Sequence, residues 1–233
     1  MWTETETASA SATESESELE TEDKTGSAAA RIHPPLPVAV RISEGHTLLL
    51  DAQLLLRCRC LTVEEGLLRV AVSEATAGDP FDALGAEAVT LGFLRSGDQL
   101  PLDLLRRSWL HLEALTPVEL VEAGPGSLAE GASSLTDWTV SLLLVRHLGD
   151  AEQRLLALLR LLSERLGHRC GPWVELPLRL THGRIAELIG HNRVTVTRQL
   201  SKWRQAGLIA PDASAQGGLR LSARLLEPLP PAP

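Results

Sequence analysis

The chain has 233 residues, enough for one large domain or two small ones with a sizeable core. Its net charge of −8 speaks against a nucleic-acid partner when taken as a single number. No apolar run of about eighteen residues and no cationic signal start occurs, so neither export nor membrane insertion is expected, and the expected setting is cytoplasmic.

The charge is unevenly distributed. Residues 1–30 carry eight acids against Lys24, residues 31–170 carry thirteen Arg against eighteen acids, and residues 171–233 carry eight Arg or Lys against four acids. The last segment is therefore cationic, +4, on an otherwise acidic chain, which points to a polyanionic partner for that segment. The cysteines, Cys58, Cys60 and Cys170, form neither an even disulfide set nor a C-x-x-C pair and read as reduced thiols. A metal role for Cys58 and Cys60, two apart on a strand, competes with plain packing.

In chain order, residues 1–30 are Glu, Thr, Ser and Ala with almost no large apolar side chain. They read as a disordered acidic tail, because such a segment cannot offset its conformational entropy by burial. Residues 31–123 read as a β domain. Strands are expected over 38–42, 46–50, 54–63, 67–73 and 88–94, with a pair within 110–121 broken near Thr116-Pro117. Ser43-Glu44-Gly45, Glu64-Glu65-Gly66 and Ser96-Gly97-Asp98 mark turns, and 75–85 marks a loop. Short, regularly spaced strands of this kind suggest a jelly-roll or related barrel.

Residues 124–168 read as a connector, 124–134, followed by helices. Thr136-Asp137 can cap a helix over 138–148 whose Val140, Leu142, Leu143, Leu144 and Val145 leave no polar face. Such a helix must be covered on both sides, either wholly inside one chain or by the same helix of a second subunit. Leu155, Leu158, Leu159, Leu162 and Leu166 then give one apolar face to a helix over 151–166. Within 169–226, small strands are expected at 173–176 and 178–180, and 227–233 is a Pro-rich tail.

Residues 180–209 are the most informative. Thr181 is an N-cap for a helix over 182–189, Gly190 suits a left-handed C′ position, and Asn192 caps a second helix over 193–206. On the second helix Val196, Leu200 and Trp203 fall within about 60° of one another and face inward. Arg193, Val194 and Arg198 face outward. An exposed Val between two arginines fits a DNA groove, where the apolar group meets a thymine methyl and each Arg meets guanine O6 and N7. Thr181, Thr195, Thr197, Ser201 and Lys202 are expected at phosphates. Residues 208–210 and 219–221 bracket a wing, whose Arg220 is either solvated or a phosphate contact. The double-stranded DNA reading competes with a winged-helix adaptor that binds protein.

The stretch LIGHNRVTVTRQL resembles the recognition helix of the Crp/Fnr superfamily of transcription regulators, and RVTVTR most resembles the cyanobacterial global nitrogen regulator group. ALTPVELVEA, residues 114–123, resembles that group's last β-roll strand. The resemblance implies an α+β fold: an N-terminal cyclic-nucleotide-binding-like jelly roll, a dimerisation helix and a C-terminal winged helix-turn-helix. It implies a homodimer on a palindromic site read by Arg193 and Arg198, with Val194 suggesting a GTA-like half-site, and RNA polymerase as a partner. Cyclic-nucleotide binders of the family carry Gly-Glu before Arg-Ser. Here Arg107-Ser108 remains, but Leu100-Pro101-Leu102-Asp103 stands where Gly-Glu is expected, which leaves a ribose hydroxyl without its carboxylate partner unless Asp103 substitutes, and argues against cyclic AMP. The nitrogen-regulator resemblance implies instead a small anionic effector at Arg106, Arg107 and Ser108, with a solvated arginine pair as the alternative. No cofactor and no metal is expected. A metal-dependent β-roll enzyme would need clustered ligands, whereas His46 and His111 are isolated.

Overall fold

The computed structural model describes residues 39–50, 60–74, 88–102, 108–123, 128–210 and 218–227. The expected acidic tail, the Pro-rich tail beyond residue 227, the 75–85 loop, Cys58, the Arg106-Arg107 pair and the wing tip lie outside them.

The N-terminal part is built from β1 (Ala39–Ile42), β2 (Thr47–Leu50), β3 (Cys60–Glu65), β4 (Leu67–Glu74), β5 (Val89–Arg95), β6 (Gln99–Pro101), β7 (Ser108–Ala114) and β8 (Val118–Glu122). They form two four-stranded antiparallel sheets, ordered β1-β8-β3-β6 and β2-β7-β4-β5. Period-two alternation decides which side chains enter the core. On β4, Leu68 and Val70 are fully buried in the cluster that also holds Val63, Leu94, Leu112 and Leu120. Arg69, Ala71 and Ser73 point to the opposite face, and they too are buried. The outer face of this sheet is therefore covered by the rest of the chain.

That cover begins with α1 (Leu128–His147). The sequence places a connector at 124–134 and starts the helix near Trp138, whereas the helix begins at Leu128, so Thr136-Asp137 lies inside it. Two effects account for the correction. Leu128, Ala129 and Glu130 are good helix formers. Burial of Leu135 and Trp138 anchors the following turns, and tertiary packing of this kind outweighs the roughly 1 kcal/mol cost of Gly131. Leu135, Trp138, Leu142 and Val145 form the buried stripe of α1, while Val140, Leu143, Leu144 and Leu148 are exposed in the single chain.

Trp138 sits on β5 at Gly92. A Cβ on Gly92 would lie 2.5 Å from Trp138 Cβ, so the strand can meet the helix this closely only without a side chain. Phe93 meets the Trp138 ring edge-on, with centroids 5.3 Å apart, and Arg165 stacks on it at 4.6 Å.

Helix α2 (Ala151–Arg165) is capped by Asp150, whose Oδ1 accepts from Gln153 N at 2.8 Å, and it buries Leu155, Leu158, Leu159 and Leu162. A small sheet ordered β11-β10-β9 follows, from β9 (His168–Cys170), β10 (Trp173–Glu175) and β11 (Arg220–Ser222). β9 has no sequence signature, since all three residues are exposed. Residues 178–180, expected as a strand, join no sheet among the described residues. Pro177 beside them lacks the amide a ladder needs, and Leu178 is instead buried in the helical core.

Replacing Gly92 by Ala is expected to destabilise the protein by about 1–3 kcal/mol through overpacking against Trp138, read as a lowered urea midpoint with an unchanged slope.

Candidate nucleic-acid interface

The helix pair is α3 (His182–Ile189) and α4 (Arg193–Gln205). Thr181 Oγ1 accepts from Arg184 N at 3.1 Å and starts α3. Gly190, at φ 63° and ψ 45°, ends it in the left-handed region, where a Cβ is costly, and His191 N closes the turn on Ala186 O at 2.8 Å. Asn192 Oδ1 then accepts from Thr195 N at 2.8 Å and starts α4. Val196, Leu200 and Trp203 are buried in one cluster with Ile185, Leu188 and Ile189 from α3. That packing fixes the rotation of α4.

With the rotation fixed, Arg193, Val194 and Arg198 are exposed, Val194 at 59%. Ser201 and Thr195 are half-buried on the flanks. Lys202 is exposed and lies 3.6 Å from Glu152, a solvated pair of little energetic weight. Thr197 is more committed: its hydroxyl donates to Arg193 O at 2.9 Å and accepts from His182 Nδ1 at 2.9 Å, so it joins the two helices. Arg220 is engaged as well. Its Nε lies 2.7 Å from Glu175 Oε1 and its guanidinium lies over Trp173, which accounts for its charge within the small sheet.

The carbonyl end of α3 is held by arginines from the neighbouring helices. Arg146 donates to Glu187 O at 2.7 Å and Leu188 O at 3.1 Å, and Arg154 donates to Ile189 O at 3.4 Å. Cations at a helix C-terminus complement its dipole and satisfy carbonyls left over by the helix.

The side of α3 nearer the β domain carries residues that sequence reasoning did not single out. Glu187 accepts from Thr90 N at 2.9 Å, Thr90 Oγ1 at 2.8 Å and Arg184 Nη1 at 2.8 Å. Burial raises the Glu187 pKa, but the bonds from Arg184 and Thr90 and the charge of Arg69 outweigh it and hold the carboxyl below its ordinary value. Arg69 donates to Glu113 Oε2 at 2.7 Å. His111, buried behind Arg69, shares a 2.9 Å hydrogen bond with Ser73 Oγ. Burial, with the charge of Arg69, lowers its pKa and favours the neutral ring. Beside these residues a cleft of about 860 Å³ opens between the β domain and α3, and Arg193 is on its wall. The only sequence signal was an Arg set inside the apolar run LLRVAV.

On the effector side, Leu100 and Leu102 are fully buried in the β core and Pro101 pairs with Cys60 across β3 and β6. Residues 100–102 of the segment in the place of the Gly-Glu pair are thus part of the packed β core, Asp103 lies outside the described residues, and Ser108 opens β7. Among the described residues, no group of three His, Cys, Asp or Glu could hold a metal ion, and no helix is long and apolar enough to cross a membrane.

Comparison with known proteins agrees with this architecture. Residues 40–134 match the cyanobacterial CRP family N-terminal domain, and residues 153–223 match the Crp-like helix-turn-helix domain. The regulatory protein CysR of Synechococcus elongatus is 36% identical over 152 residues, 63% of this chain and 69% of that protein. The global nitrogen regulator of a Nostoc species is 30% identical over 145 residues, 53% of this chain and 64% of that protein. A CRP/FNR-family transcriptional regulator from Thermus thermophilus aligns with 81% of this chain and 98% of its own, at 24% identity and a TM-score of 0.58. A cyclic nucleotide-binding domain-containing protein from Listeria monocytogenes aligns with 82% of this chain and 91% of its own, at 10% identity and a TM-score of 0.59. These two structures speak for the fold alone. The chain belongs to the Crp/Fnr family of transcription regulators.

The neutral His111 predicts a pH effect in a defined window. Its folded pKa lies below its unfolded value of about 6.5, so the unfolded chain gains a proton first and stability falls as pH drops below that value. His111→Gln is expected to flatten this acid limb between about pH 6.5 and 5, measured by urea unfolding at each pH.

Proposed function

We propose that this chain is a homodimeric regulator that reads a two-fold symmetric DNA site through α4. The observation that carries the reading is Val194: a β-branched apolar side chain 59% exposed, between exposed Arg193 and Arg198, on a helix whose opposite face is fully packed. Such a residue gains little in water, but it can meet a thymine methyl while each Arg donates to a guanine edge. Thr195, Ser201 and Lys202 flank this face as phosphate contacts. Thr181 and Thr197 act there mainly by shaping the helix pair, since their hydroxyls already serve internal bonds.

The homodimer reading rests on α1. Val140, Leu143, Leu144 and Leu148 form an apolar face opposite the buried stripe, and a second copy of the same face is its simplest cover. Two α4 helices related by that axis would present two readers to a palindrome. For an effector we propose a small anion at Arg106, Arg107 and Ser108 rather than a cyclic nucleotide, because core leucines occupy the segment where a ribose-binding carboxylate would be needed. RNA polymerase is the proposed partner on DNA, and the cytoplasm the proposed setting.

Selection of bound sequences from a random duplex pool, with and without 2-oxoglutarate and with cyclic AMP as the comparison, tests site and effector together. An enriched palindrome is expected, and recovery of no symmetric motif would overturn the reading. On the selected site Arg198→Ala is expected to lose about 1–3 kcal/mol of discrimination at one base pair. Leu144→Asp is expected to shift the protein to a monomer in sedimentation and to weaken binding to the full palindrome far more than to a half-site.

A further inference from the structure

The contact between the β domain and the helix-turn-helix is a closed ring of charges. Arg69, the third residue of β4 and 3% exposed, donates to Glu113 Oε2 at 2.7 Å and reaches Glu187 Oε2 at 3.5 Å. From α3, Arg184 reaches the same two carboxylates, Glu187 Oε2 at 2.8 Å and Glu113 Oε2 at 3.2 Å. Two members belong to the β domain and two to α3, and their signs alternate. Thr90 adds its N–H and hydroxyl to Glu187, and its hydroxyl also accepts from Arg69 Nε at 2.8 Å. A ring of this kind is lost as a unit, since removing one member weakens the others.

Three features say what its closure does, given the DNA-binding reading on which the inference rests. Arg193 shares the cleft with Thr47, Ala88 and His111 of the β domain. The ring also brings Glu113, a residue of the β domain, beside the cationic head, where a carboxylate repels phosphate. Finally, Arg184 stands in the first turn of α3, where a helix N-terminus favours phosphate, yet its guanidinium is occupied by two carboxylates.

We propose that this ring is an autoinhibitory latch. Closed, it holds α3 against the edge of β5 and keeps the helix-turn-helix in a state of low DNA affinity. Opening it moves Glu113 away from the reader, frees Arg184 for phosphate and clears the approach to Arg193.

The test uses the full chain with Glu187→Gln. This change leaves Arg69 paired with Glu113, so no buried charge is orphaned. Hydrogen exchange across residues 88–95 is expected to accelerate, because the Thr90 amide then faces a neutral amide oxygen in place of the carboxylate that Arg69 and Arg184 hold beside it. Affinity for the selected duplex is expected to rise about tenfold as the open population grows. Glu113→Gln, which opens the ring from the other side, should shift affinity in the same direction. Faster exchange with unchanged or weaker affinity in both variants overturns the inhibitory role, and unchanged exchange overturns the latch itself. If neither parent nor variants bind any duplex, it is the DNA reading that fails; exchange, which needs no DNA, judges the latch separately.

Discussion

The arrangement depends on how the outer edge of β5 is covered. Among the described residues β5 is the last strand of its sheet, and an open strand edge leaves unpaired amides and carbonyls that invite other chains. Here consecutive residues of that edge are taken by two different helices. The Leu91 carbonyl accepts from Thr139 Oγ1 of α1 at 3.1 Å, and the Thr90 amide donates to Glu187 of α3 at 2.9 Å. Gly92 lets Trp138 settle directly on the strand. One strand edge thus locates both α1 and α3 against the β domain, and α4 follows from α3 through Gly190 and the shared core.

The same dependence explains how an acidic chain presents a cationic face on α4. Most of the arginines around the helical core are occupied internally. Arg146 and Arg154 serve the carbonyls at the end of α3, Arg165 stacks on Trp138, and Arg69, Arg184 and Arg220 are matched by carboxylates. The guanidiniums of Arg193 and Arg198 stand on the exposed face of α4. Net charge is then a poor guide to partner, because it adds cations already neutralised to those still open to solvent. What the surface presents is decided by packing.

Which parts were legible in the sequence follows from the same physics. The helix pair could be read because its limits are local: Thr181, Gly190 and Asn192 each act within four residues. The strands of the β domain could be read because alternation and glycine turns are local too. The start of α1 could not, since Gly131 with Ser127, Ser133 and Ser134 around it suggests a connector, and burial of Leu135 and Trp138 on another domain decides otherwise. β9 could not, because three exposed residues carry no pattern. The ion ring was the least accessible, joining residues 44, 71 and 118 positions apart in sequence. An Arg in the run LLRVAV marks a buried charge that needs partners, but nothing local names them.

The exposed apolar residues at α1 and on α4 differ in kind, and their surroundings separate them. Leu143 and Leu144 lie with Val140 on one side of α1, with Leu148 just past its end, so they present an apolar face around the exposed His147. Water excluded from such a face gains about 25 cal/mol per Å², which favours another apolar face as cover. Val194 is instead alone between two guanidiniums, where an apolar partner protein would have to strip water from both charges at a cost of several kcal/mol. A polyanion with a methyl group between hydrogen-bond acceptors meets the same surface without that cost, because each desolvated cation gains a charged or polar acceptor. On the proposed reading, α1 therefore selects a second copy of the chain and α4 selects DNA, and the two surfaces do not compete for one partner.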